Sequence, residues 1–446
     1  VGTADLRGSI PVKQRGFQEV DTISLVKSIT KAIFQPKDVR EIPYIMEQAF
    51  FLAQTGRKGP VVVDMPMNVQ INVCKADEFF PIKKQTYKKP TLLKKNIETL
   101  ANWIRDAKRP IILAGGGILS AGAEHEIRTL ADRYHIPVVM SFPGVGSYPS
   151  AKYLSLGVCG YAGSQYANKA IYNSDLLICI GTTLPVRQTG SLPGSMAPQA
   201  KIARIDIEIN ELEYSRVPLD LKINADALEV ITALNICLLK LKKKNRWKQS
   251  TKEWQKTIEK WKTQYALTFD HHGTFLKPQH VIELADRIVK NGQVIVTTGV
   301  GQHQLWVPRH FTFDYPKRIF LTSSGLGAMG FDLPAAIGAK IARPESTVLC
   351  FVGDGSLQMN LQELAAIVEM KLDIKIIVLD NQSLNLVAQF QRQNWKSHPT
   401  TGDKYNPDFA LIAEAYKIKS FTIKTSLGID KALTSALKHK GAVLIH

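Results

Sequence analysis

Asp354 and Asn381 stand 27 positions apart (381 − 354), each following an apolar run, in Gly353-Asp354-Gly355-Ser356 and Leu379-Asp380-Asn381-Gln382. A carboxylate and a carboxamide oxygen are hard ligands, and adjacent glycines let a bulky anion approach the backbone. The pair therefore suits a small cation such as Mg²⁺ that also holds a diphosphate. The elements that must position them are legible. Ser346-Thr-Val-Leu-Cys-Phe-Val352 has the length and apolarity of a strand, Asn360 to Lys371 repeats apolar residues at helical spacing, and Ile374-Lys-Ile-Ile-Val-Leu379 is strand-like again. This is one βαβ step, so both polar residues fall at strand ends on one edge of a sheet, where open α/β sheets bind ligands. A lone Gly-Asp-Gly is equally ordinary turn chemistry, and by itself it decides nothing.

Two more segments narrow the choice. Thr297-Thr-Gly-Val300-Gly301-Gln302-His303-Gln304-Leu-Trp306 follows the strand-like Gln293-Val-Ile-Val-Thr297. Ser324-Gly325-Leu-Gly327-Ala-Met329-Gly330-Phe-Asp-Leu-Pro follows another short apolar run. Together with Gly-Asp-Gly-Ser-Leu-Gln-Met-Asn-Leu-Gln-Glu-Leu-Ala from Gly353 onward, they resemble, in the same order, thiamine-diphosphate (ThDP) enzymes, and among these the acetolactate (acetohydroxyacid) synthase branch. The resemblance implies that Val300, Gly301, Gln302 and His303, with Gly327, Gly353, Gly355 and Ser356, surround the cofactor and its diphosphate. It implies that Asp354, Asn381 and the backbone carbonyl of Ser383 hold Mg²⁺, and that Met329 wedges beneath the cofactor and bends it. A bulky, unbranched, polarizable side chain can fill a gap between rings without a polar atom to satisfy, although spacing alone reads Met329 as ordinary core.

Several positions depart from the acetolactate pattern. Asp380 replaces the first Asn of a usual Asn-Asn-Gln and adds a carboxylate beside the metal site. Phe390 stands where a Trp usually shapes the pocket for the second 2-keto acid, and Met67 replaces a Lys after Asp-x-Pro. Phe17 and Gln18, in Gly16-Phe17-Gln18-Glu19, correspond to a segment that faces the active site of the neighbouring subunit. On the residues alone they equally cap a helix starting near Thr22. Met329, Phe17, Gln18 and Phe390 are thus the residues expected to shape the catalytic pocket. The glutamate that activates the cofactor in this family is expected upstream of Val1, because no Glu here takes its place.

With 446 residues, 45% hydrophobic and 22% charged, the composition is that of a soluble globular chain of about three domains, which the resemblance makes α/β. The resemblance implies doubly wound, parallel-sheet domains: the end of a pyrimidine-binding domain over 1–75, a central Rossmann-like domain over 96–232 and the diphosphate-binding domain over 271–446. No apolar run reaches a membrane span. Cys74, Cys159, Cys179, Cys237 and Cys350 are odd in number and scattered, which reads as reduced thiols in a cytoplasmic protein. The net charge of +18 includes the run Lys240 to Lys248, but no nucleic-acid motif accompanies it, so it reads as a solvated basic linker. Trp247, Trp254 and Trp261 recur every seven residues and put three large rings on one helix face, which must dock on a partner surface.

In the central domain, Arg109-Pro-Ile-Ile-Leu-Ala114 runs into Gly115-Gly116-Gly117, a turn that admits a phosphate. Related domains bind FAD, ADP or nothing. Here Gly181-Thr-Thr-Leu-Pro-Val-Arg187 and Arg204-Ile-Asp206-Ile keep the flavin frame with altered side chains, which leaves FAD open. The expected function is ThDP- and Mg²⁺-dependent decarboxylation of a 2-keto acid, most simply pyruvate, with transfer of the two-carbon unit to a second carbonyl, in a homodimer or homotetramer. Two rivals stand beside it: another ThDP decarboxylase, lyase or aldehyde transferase, as in surface-polysaccharide synthesis, and a cofactor-binding chain without turnover.

Overall fold

The computed structural model describes residues 14, 16–17, 19–82, 85–241, 251–270, 275–395 and 405–446. They form two compact units, one ending at Thr91 and including the short segments 207–209 and 224–226, the other holding the remainder. In the first, β1 (Ala32–Phe34) and β2 (Val61–Val63) pair in parallel, Ala32 opposite Val61 and Phe34 opposite Val63. Parallel neighbours need a crossover, and the helix Ile42–Gln54 supplies it.

The second unit contains two six-stranded sheets. The first comprises β3 (Pro110–Ala114), β4 (Val138–Met140), β5 (Ser155–Val158), β6 (Leu176–Ile180), β7 (Lys201–Asp206) and β8 (Leu221–Asn224), in the order β5-β4-β3-β6-β7-β8. The second comprises β9 (Val294–Thr298), β10 (Arg318–Thr322), β11 (Thr347–Gly353), β12 (Ile374–Leu379), β13 (Lys419–Phe421) and β14 (Val443–Ile445), in the order β10-β9-β11-β12-β14-β13, and every pairing in it is parallel. Sheets covered on both faces require strands that are apolar throughout rather than alternating. β11 meets that demand with Val348 to Val352 fully buried, flanked on one face by the cluster around Phe311, Phe313 and Leu433, and on the other by that around Leu333, Leu364 and Phe409.

β12 breaks the pattern with Lys375, which is almost fully buried. Its ammonium bonds to the Asp373 carboxylate and to the carbonyls of His439 and Gly441, just past the C-terminal end of the helix Ile429–Lys438, where the helix dipole favours a cation.

The βαβ step around Asp354 differs from the sequence reading in one respect. Between β11 and β12 lie two short helices, Asp354–Met359 and Glu363–Glu369, instead of a single helix from Asn360. Asn360 ends the first because its side chain turns aside to bond the Gly330 carbonyl at 2.6 Å. The helix Lys252–Gln264 docks on the first sheet's layer through buried Trp254 and Ile258 and partly buried Trp261. The two indoles meet edge to face at 5.6 Å, and Trp247 lies outside the described residues. Among the described residues no helix is long and apolar enough to cross a membrane. All five cysteines are unpaired, and Cys159, Cys179 and Cys350 are buried.

Candidate functional site

In the second sheet the chain passes from β9 outward to β10 on one side and to β11 and β12 on the other, so the direction of winding reverses between β9 and β11. Loops leaving the carboxyl ends of such neighbours diverge and leave a crevice. A cleft open to solvent lies there, with about 550 Å³ of empty space. Val300, Gly301, Gln302 and His303 line it from the turn after β9, Gly353, Asp354, Gly355 and Ser356 from the end of β11, and Asn381 and Ser383 from the turn after β12. Met329 enters from the loop before the helix Asp332–Ala342. Residues as far apart in sequence as Val300 and Ser383 are thereby brought together. Gly327 and Phe390 are not among the lining residues. Phe390 lies half exposed with its ring edge to face on Trp395 at 5.2 Å. Phe17 belongs to the first unit, where it is largely exposed, and Gln18 lies outside the described residues.

Asp354 opens its helix and is buried, and the Asn406 amide donates to its Oδ2 at 2.7 Å. Burial raises its pKa above the ordinary carboxylate value and the nearby charge of Asp380 pushes the same way. The Asn406 amide and the Gly355 and Ser383 N–H groups pull it back down. Such a carboxylate gains from a counter-cation in the cleft. Beyond β12 the chain doubles back through two successive Asx turns. Gln382 N donates to Asp380 Oδ1 at 2.9 Å and Ser383 N to Asn381 Oδ1 at 3.0 Å, with Gln382 in the left-handed region (φ 54°). The reversal is what presents both Asn381 and Ser383 to the cleft.

The remaining wall is held from behind. Ser356 donates its hydroxyl to Asp332 Oδ2 at 2.7 Å and accepts from Gly330 N at 2.8 Å, so its side chain is committed within the wall. Asp332 is fully buried, and His303 Nε2 lies 3.8 Å from its carboxylate, beyond hydrogen-bond range and with no hydrogen-bond partner among the described residues. Gln302 closes on the helix Asn385–Trp395, donating to Gln389 Oε1 at 2.7 Å and accepting from Asn385 at 2.9 Å. A Cβ on Gly355 would meet Leu384 Cδ2 at 2.6 Å and Met329 Cε at 3.4 Å, so only glycine leaves the space between those two side chains open.

Asp380, the additional carboxylate, does not line the cleft. Its Oδ1 accepts from Gln382 N and from Asn406 at 2.7 Å, and its Oδ2 lies 3.0 Å from His446 Nε2. Asn406 and His446 were invisible to motif reading, as were Leu384 and Asn385 in the cleft wall. The first arrives from the segment before the helix Phe409–Ala415 and the second from beyond β14, the strand beside β12, and neither carries a local signature. Asp332 was in view within Gly330-Phe-Asp-Leu-Pro, and a carboxylate in so apolar a run was the available signal.

Residues 299–446 match the C-terminal TPP binding domain of thiamine pyrophosphate enzymes, and residues 97–234 match their central domain. The acetolactate synthase isozyme 3 large subunit of Escherichia coli (strain K12) is 34% identical over 430 residues, covering 95% of this chain and 73% of that protein. The chain belongs to the acetolactate synthase large-subunit family. The probable acetolactate synthase large subunit of Methanococcus aeolicus is 37% identical (97% of this chain, 74% of the relative), and the chloroplastic acetolactate synthase 2 of Nicotiana tabacum is 34% identical (99% and 67%).

A Cβ on Gly115 would lie 2.0 Å from the Gly181 carbonyl oxygen, and Gly117 N donates to that oxygen at 3.0 Å. The crossing of two backbone loops thus demands glycine without any ligand. Arg204 is fully buried, with its guanidinium 2.8 Å from Glu211 Oε2 and 3.6 Å from Asp206.

Proposed function

We propose that this acetolactate synthase family member uses ThDP and Mg²⁺ to decarboxylate a 2-keto acid, most simply pyruvate, and to join the two-carbon unit to a second carbonyl compound. The observation that carries the reading is the cleft at the reversal between β9 and β11, where one carboxylate, one amide oxygen and a backbone turn converge beside Gly353 and Gly355. Such a set has only hard oxygen donors and too few of them to fill a Mg²⁺ shell, which leaves positions for diphosphate oxygens. When bound, ThDP supplies the electron sink that makes loss of carbon dioxide feasible. Asp354, Asn381 and the Ser383 carbonyl would hold the cation, and the turn Val300 to His303 with Gly353, Gly355 and Ser356 would hold the diphosphate. Met329, reaching over Gly355, would support the bent cofactor. The unpartnered His303 Nε2, buried in the wall, fits a site completed by a polar guest.

The test is acetolactate formation from pyruvate by the full-length protein, together with calorimetry of ThDP and Mg²⁺ binding. Acetolactate is expected, and Asp354→Ala is expected to weaken cofactor binding by at least tenfold. Unchanged affinity in Asp354→Ala would remove the metal assignment. The Phe390–Trp395 pair, exposed where the family carries a Trp, favours a second reading in which the acceptor is not another 2-keto acid. Turnover of pyruvate with an aldehyde but no acetolactate would select it.

The family reading also extends FAD to the central domain. Yellow colour with flavin absorbance in purified protein would establish it, whereas a colourless preparation assigns that domain a structural role, which the Gly115 and Arg204 contacts favour. We also read the enzyme as a homodimer or homotetramer of the cytoplasm, acting on small molecules with no role for nucleic acid or membrane. Unpaired, buried cysteines suit a reducing compartment. Light scattering of active protein checks the assembly, and an active monomer would refute it.

A further inference from the structure

We propose that Asn406 is the positioning residue that lets this chain keep Asp380 beside its metal carboxylate. One amide nitrogen serves both acids: Nδ2 lies 2.7 Å from Asp354 Oδ2 and 2.7 Å from Asp380 Oδ1. The two carboxylates therefore face each other across a single NH₂ group. Two carboxylates so placed repel each other, and a donor shared between them offsets that repulsion. The orientation of the amide follows from its other end, since Oδ1 accepts from Gln358 Nε2 at 3.0 Å. Both hydrogens of Nδ2 are then committed, one to each acid.

The segment that carries Asn406 is itself anchored. Asp408 caps the helix Phe409–Ala415 by accepting from the N–H groups of Ala410 and Leu411, and Phe409 is fully buried. The Phe409 ring packs edge to face on His446 at 5.4 Å, and His446 reaches Asp380 Oδ2 at 3.0 Å. Asp380 thus has a donor or an imidazole at both oxygens and is turned from the cleft, while Asp354 stays in it. A neutral Asn at the position of Asp380 would bring no second charge to clamp. Asn406 would therefore act on a bound cation through Asp354 without touching it.

This proposal rests on the ThDP and Mg²⁺ reading of the cleft, and the experiment separates the two. Calorimetric titration of full-length protein with ThDP in the presence of Mg²⁺ is compared for wild type, Asp354→Ala, Asn406→Ala, Asn406→Asp, Asp380→Asn and the double variant Asp380→Asn/Asn406→Ala. Melting temperatures without cofactor are taken in parallel. Asn406→Ala is expected to bind about 10- to 100-fold more weakly, the usual effect of removing the partner of a metal ligand. Asn406→Asp, nearly isosteric but bearing a third carboxylate, is expected to weaken binding at least as much. In the Asp380→Asn background the Asn406→Ala loss is expected to shrink to threefold or less, a rescue that a merely structural role would not produce. Wild-type affinity in Asn406→Ala, or equal losses in both backgrounds, would overturn the proposal while Asp354→Ala still upholds the site. No binding by wild type would overturn both.

Discussion

Gly355 shows how little room the cleft has to spare. It sits between Leu384 and Met329, and a methyl group there would press 2.6 Å from Leu384 Cδ2. Because the offending atom is the end of a flexible side chain, Gly355→Ala is expected to be tolerated at a cost of about 1–3 kcal/mol of stability, typical of overpacking. Combination with Leu384→Ala should recover part of that cost, since neighbouring substitutions couple. Urea unfolding of the two single variants and the double variant measures the coupling, and strictly additive losses would show that Leu384 is not the obstacle. At the same scale, Asp332 and Ser356 brace the wall from inside, and His303 lies against a buried carboxylate without bonding it.

Helix docking follows a different logic from ligand contact. The helix Lys252–Gln264 carries four lysines in thirteen residues, and alone it would be a solvated strip; Trp254 and Ile258 bury it. Trp261 packs at the margin, with the Lys169 ammonium 5.8 Å above its ring. Trp254→Ala is therefore expected to destabilise the protein by roughly 3–5 kcal/mol, as large buried aromatics do. Trp261→Ala should cost clearly less because that ring is only partly buried. Thermal or urea unfolding checks the ranking, and equal effects would contradict it. The β11–β12 step makes a related point, because two short helices replaced one when Asn360 spent its side chain on the Gly330 carbonyl. That bond joins residues 30 positions apart, so no local periodicity could have announced the break.

At the scale of the whole molecule, burial of titratable groups shapes the response to pH. Complete burial pushes the Cys159 and Cys179 thiols from the ordinary 9.0 up to about 12 and raises Cys350 well above its usual value. In the unfolded chain these thiols ionise above pH 9.0, while the folded chain keeps them protonated. Their contribution is thus fully present below pH 9.0 and is lost progressively between 9.0 and about 12, so stability should fall with rising pH across that window. Replacing Cys159 or Cys179 by Ala should flatten the high-pH limb of a denaturation profile, and an unchanged limb would point to other groups. The same thiols should resist alkylation at pH 8 until the protein is unfolded.

The sequence alone carried the cleft's inner surface: Val300 to His303, Met329, Gly353 to Ser356, Asn381 and Ser383. The reason is that in a parallel sheet each strand delivers its following turn to the same edge, so a polar or glycine turn after an apolar run already states where it will lie. It also indicated the docked face of Trp254 and Trp261, since helical spacing fixes which side chains share a face. Only tertiary structure decided what becomes of Asp380. That carboxylate is drawn away from the cleft by Asn406 and His446, which reach it from the approach to the helix Phe409–Ala415 and from beyond β14. Contacts of that kind depend on the lateral order β12-β14-β13, which sets strands of distant sequence side by side, and no local pattern of residues encodes that order.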